Sequence, residues 1–128
     1  MRERRQFVRL DTRLTMSYRV LPSDVQPQAS STTNLSGGGL CIFVHAVLNP
    51  GTFLQVDLRL PDREQPVSLL GEVVWCEQIE THAKGTLASE PPRRSVLAGV
   101  KYIQIAEADR QDIMRYVILN LSPPRQTP

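Results

Sequence analysis

Arg5 and Arg9 stand four residues apart in Arg5-Gln-Phe-Val-Arg9, and Asn34-Leu-Ser36-Gly-Gly-Gly39 follows further along the chain. A guanidinium presents its donors in a planar fork that meets a phosphate or a base edge with two parallel bonds, which an ammonium cannot do. Three consecutive glycines remove every Cβ that would hold a ligand off the backbone. They also permit the positive φ that turns successive N–H groups into one concavity. Asn34 adds a donor and an acceptor, and Ser36 a hydroxyl. Such a set suits recognition of an anion or a planar base. Each half has an ordinary alternative, because thirteen arginines make a pair four apart easy to meet by chance and a glycine run also makes a plain hairpin.

The rest of the composition narrows the chemistry. A chain of 128 residues with 41% apolar and 22% charged residues is expected to fold as one domain with its own core. Its net charge of +2 is unevenly spread, since the first nineteen residues carry six arginines against Glu3 and Asp11. Cys41 and Cys76 lack CxxC spacing and sit among apolar residues, as reduced core thiols do. His45 and His82 occur in no HxH or HExxH setting, so neither a metal site nor catalysis is expected. Met1 is followed at once by charged residues, and the longest apolar run, Leu40 to Leu48, falls far short of the ~20 residues of a membrane span. The expectation is a cytoplasmic protein without a membrane span, cofactor or enzymatic activity.

The recognition residues need elements to hold them. Residues 13 to 20 alternate, with Leu14, Met16, Tyr18 and Val20 on one side, which predicts a half-buried strand. A short second strand over Ser30 to Asn34 runs into the glycine turn. Leu40, Ile42 and Val44 face inward on a third strand, Pro50 and Gly51 turn the chain, and Leu54 to Leu60 alternates again. Val67 to Cys76 predicts a long strand with Trp75 closing one end of the core, and Leu97 to Ile105 a last one. Glu77 to Ser95 is polar and Pro-containing and is expected to be a long mobile excursion. After Ala106, Ile113, Val117 and Leu121 recur every fourth residue with Met114, Tyr116 and Ile118 beside them, behind acidic Glu107, Asp109 and Asp112. This predicts a C-terminal helix. The fold expected is mainly β: a small six-stranded antiparallel β-barrel with one C-terminal α-helix.

Together the RxxxR segment and the later (D/N)xSxxG motif resemble the PilZ family. Gly71-Glu-Val-Val-Trp75 looks like its long central strand and Ala98-Gly-Val-Lys-Tyr102 like its last. The resemblance covers roughly residues 4 to 121. It implies a bacterial receptor for cyclic di-GMP with Arg5, Arg9, Asn34, Ser36, Gly38 and Gly39 at the ligand. Arg4 would be a further contact bearing on whether one or two stacked molecules bind. On this reading residues 1–11 are a flexible ligand-binding arm, 12–121 the barrel with its helix, and 122–128 a disordered tail. Ligand would order the arm and so signal to an unidentified effector protein. The competing readings are an interaction barrel or adaptor without a nucleotide ligand and a nucleic-acid-binding barrel. Low aromatic content weighs against the latter.

Overall fold

Inward-facing apolar residues at every second position close the chain on itself. The computed structural model describes residues 7–22, 26–81 and 93–121. The strands are β1 (Leu10–Asp11), β2 (Thr15–Val20), β3 (Gln28–Leu35), β4 (Gly39–Val44), β5 (Phe53–Leu58), β6 (Val67–Thr81) and β7 (Arg93–Gln104), followed by helix α1 (Glu107–Asn120). All pairings are antiparallel, in the order β3, β2, β5, β6, β7, β4, and β4 pairs back onto β3. The result is a closed six-stranded barrel, the expected architecture, with β1 added along β3. Leu14, Met16, Tyr18, Ile42, Leu54, Val56, Leu58, Val67, Leu69 and Val73 fill its interior.

Three register shifts interrupt this alternation, and in one of them Leu70 pairs with Gln104 but Gly71 with Tyr102, leaving Ile103 of β7 as the extra residue. In β3, Thr32 and Leu35 are both fully buried although three positions apart, because the register against β4 slips between Thr32 and Asn34. In β6, Val73 pairs with Val100 but Trp75 pairs with Gly99, leaving Val74 as the extra residue. A single added residue flips everything beyond it to the opposite face. Trp75 is therefore 41% exposed and does not close the core as its spacing predicts.

The two ends of the stretch from Glu77 to Ser95 also differ from expectation, while residues 82–92 lie outside the described residues. Glu77–Thr81 pairs with Arg93–Leu97, and because β4 reaches only as far as Val96, the pairing of Ile79–Thr81 with Arg93–Ser95 runs beyond the barrel. Apolar alternation is missing here because Glu77, Gln78 and Glu80 are exposed, while Ile79 and Val96 are only partly buried. Arg94 pairs with Glu80 across the strands at 3.4 Å.

Helix α1 buries Ile113 and Val117 against the barrel, while Ile118 and Leu119 face outward. Its first two turns are fixed by Arg63, from the β5–β6 connection, which donates to Asp109 at 3.0 Å and Asp112 at 2.8 Å. The same guanidinium donates to the carbonyls of Gln65 and Pro66.

Thr32 is the one buried polar side chain in the described core. Its hydroxyl accepts from Leu14 N at 2.9 Å and donates to Thr12 O at 2.6 Å, bridging the gap between β1 and β2. Thr32→Val would leave both backbone groups buried without that partner. We expect a loss of about 1–3 kcal/mol in urea denaturation, with faster amide exchange confined to residues 10–14. Arg63→Ala should cost roughly 1 kcal/mol, screened by salt because the pair is partly solvated, and should lower the urea midpoint less at high ionic strength.

Candidate functional site

The turn from β3 into β4 is built by one serine. Ser36 N donates to Gly39 O at 2.9 Å, and the Ser36 hydroxyl accepts from the amides of Gly38 at 3.1 Å and Gly39 at 3.2 Å. The same hydroxyl donates to Gly39 O at 3.2 Å. Tyr102 grips this turn from β7, its amide donating to Gly38 O at 3.1 Å and its phenol to Ser36 O at 2.8 Å. Burial pushes the Tyr102 phenol far above its usual range, so it stays a donor.

The glycines do a different job from the one their sequence suggests. None of Gly37, Gly38 and Gly39 has a positive φ, which among the described glycines belongs to Gly51 in the Asn49–Thr52 turn. The amides of Gly38 and Gly39 point at Ser36 rather than opening as a nest. What the turn requires is room. A Cβ on Gly37 would lie 2.7 Å from Met114 Cγ and 2.9 Å from the Phe7 ring, one on Gly38 would lie 2.7 Å from that ring, and one on Gly39 would strike the Val100 carbonyl.

Register brings the arm alongside. Leu10 pairs with Leu35 and Asp11 with Asn34, so Arg9 reaches the turn at Ser36. Arg9, Asn34, Ser36, Gly38 and Gly39 line one concavity of about 320 Å³, at the small end of ligand-sized sites. The structure thus brings together five of the seven residues singled out from the sequence. Arg4 and Arg5 lie outside the described residues, as do His82 and the tail at 122–128.

The same concavity is lined by residues the sequence reading missed, chiefly Phe7, Trp75 and Lys101. The bulge at Val74 turns Trp75 out, and its indole lies against Gly99, where a Cβ would collide with Nε1. Lys101 is marked in the sequence only as a member of the last strand. Its Nζ stands 3.9 Å from Glu72 and is largely solvated, a weak pairing that leaves the ammonium free to turn toward an anion. Cys41 also borders the site. Burial raises its thiol pKa, opposed by a Thr33 hydrogen bond and the nearby positive charge of Arg9. A thiol so placed is a poor nucleophile.

Two cations, an amide and a flat indole around one hollow can receive a phosphate and a planar base together. Elsewhere, His45 Nε2 meets Ala29 O at 3.1 Å and its ring stacks on Tyr18. Among the described residues no cluster of three His, Cys, Asp or Glu could hold a metal, and no helix is long and apolar enough to cross a membrane.

The fold has solved counterparts. The chain is similar to the inhibitor of motility MotI/DgrA of Bacillus subtilis, with 21% identity and a TM-score of 0.70 over 91% of this chain and 50% of that one. It is also similar to the PilZ domain of YcgR from Escherichia coli, in a structure with c-di-GMP, at 10% identity and a TM-score of 0.71 over 91% of each chain. MrkH, described as a c-di-GMP-dependent transcription regulatory factor, matches at 16% identity and a TM-score of 0.69 over 92% of this chain and 52% of its own. The chain thus spans about half the length of MotI/DgrA and of MrkH. No curated protein matches it. At these identities the likeness is one of fold, but the PilZ domain profile matches residues 3–119, and over that span the chain belongs to the PilZ domain family.

Proposed function

We propose that this chain is a cytoplasmic receptor for cyclic di-GMP, not an enzyme, and that it signals to a separate effector protein. The observation that supports this most is the convergence of Arg9, Asn34, the Ser36–Gly39 turn and Trp75 on one hollow in a PilZ chain. The ligand carries two phosphates and two guanine faces. Arg9, with Arg5, would fork onto phosphate or guanine O6 and N7, Asn34 would meet a base edge, and Lys101 would offset phosphate charge. Trp75 offers a base a surface for stacking. The Ser36 hydroxyl is occupied within the turn, so its part is to shape the rim on which Gly38 and Gly39 receive the ligand.

Arg4 and Arg5 would close over the bound molecule and order the segment ahead of Phe7. Each residue so ordered costs about 1–2 kcal/mol, against about 8 kcal/mol for a micromolar site. Because β1 is already paired with β3, that cost falls on the residues before it. The changed surface at this rim is what an effector would read.

An exposed tryptophan beside two cations is also how single-stranded nucleic acid is held on barrels, which favours that second reading over an adaptor without ligand. Calorimetry should separate them. Cyclic di-GMP should bind saturably, whereas cyclic di-AMP, GMP and a short oligonucleotide should not. Arg9→Ala should weaken uptake at least about tenfold, the loss of a charge-assisted contact of ~1.5–3 kcal/mol. Oligonucleotide binding that falls steeply with salt would instead support the second reading. Amide exchange in residues 2–10 should slow at saturating cyclic di-GMP, and unchanged exchange would reject arm closure.

A further inference from the structure

The (D/N)xSxxG pattern calls for glycine at position 39, yet positions 37 and 38 are glycine as well. The ligand hollow does not account for both, since Gly38 and Gly39 line it while Gly37 does not. Phe7 does account for them. Its ring lies where a Cβ on either residue would fall, at 2.9 Å from the one on Gly37 and 2.7 Å from the one on Gly38. The Arg110 guanidinium of α1 sits over this ring, 5.7 Å from its centroid, within cation–π reach. Met114, one turn further along α1, closes the socket over Gly37.

We propose that Phe7 is a positioning residue, a latch that seats the arginine arm on bare glycine backbone before ligand arrives and ties it to helix α1. Phe7 lies midway between Arg5 and Arg9 in the sequence, so anchoring its ring tethers the chain two residues from each. Val8, between the latch and Arg9, is turned to solvent. The turn is gripped from the barrel side by Tyr102 and from the arm side by Phe7, and Arg110 links that second grip to the helix. A preseated arm gives up less freedom on binding. The latch's effect on affinity rests on the cyclic di-GMP reading, whereas its existence does not.

A double-mutant cycle on the full chain tests this, with Phe7→Ala, Gly38→Ala and the pair. In ligand-free protein, amide exchange over residues 7–11 should rise about tenfold in each single variant, as expected for loss of a local contact, while β5 and β6 keep their protection. Cyclic di-GMP affinity should fall about tenfold in each, and the double variant should be no weaker than the singles, because both remove one contact. Phe7→Tyr should restore both readouts. Unchanged exchange at residues 7–11 in Phe7→Ala, or additive losses in the double variant, would overturn the latch. Should wild type take up no cyclic di-GMP, the receptor reading fails, and the ligand-free exchange measurement alone still decides the latch.

Discussion

A closed ring of six strands leaves every second side chain buried, so a group needed at its rim can be turned outward only by breaking the alternation. Of the three register shifts in the described strands, those at Thr32–Asn34 in β3 and at Val74 in β6 serve the same hollow. The extra residue in β3 lets Thr32 and Leu35 stay buried while Asn34, between them, borders the concavity. The extra residue in β6 keeps Val73 in the core and sends Trp75 out to the opposite lip. Bulges at barrel rims beside binding sites are a recurrent device for re-aiming side chains.

Between the two lips lies a turn that cannot move alone. Ser36 organises it internally, Tyr102 holds it to β7 by two hydrogen bonds, and β1 runs alongside through its pairing with Leu35 and Asn34. Thr32 keeps β1 in line with β2 by serving both ends of the intervening backbone. Arg9 thus inherits its place from core residues through the pairing of β1. The glycines matter because they let three neighbours come close: the Val100 carbonyl, the Phe7 ring and the Met114 side chain.

Much of this was legible in the residues. The period-two runs at 13–20, 40–44 and 54–60 mark strands because one face of each is buried, and the fourfold spacing of Ile113, Val117 and Leu121 marks the helix. The RxxxR and NxSxxG segments indicated where the hollow lies. Trp75 was misplaced because a bulge leaves no mark in Val73-Val74-Trp75, where three apolar residues fit either register. The outer β6–β7 pairing escaped notice because exposed Glu77, Gln78 and Glu80 leave it no apolar period. Lys101 and Phe7 join the site only through pairing across β4 and β7 and through packing on α1, contacts between residues distant in sequence. Ile118 faces solvent despite its apolar neighbours because α1 rests on the barrel along the Ile113–Val117 stripe alone.

The central claim is that side chains from β3, β6 and the arm meet one molecule. Titrating the full chain with cyclic di-GMP and following its nitrogen–proton correlation spectrum tests this directly. The Trp75 indole N–H and the Arg9, Gly38 and Gly39 amides should move together along one saturation curve. Movement of the Arg9 amide without Trp75, or saturable shifts confined to another part of the barrel, would contradict the account.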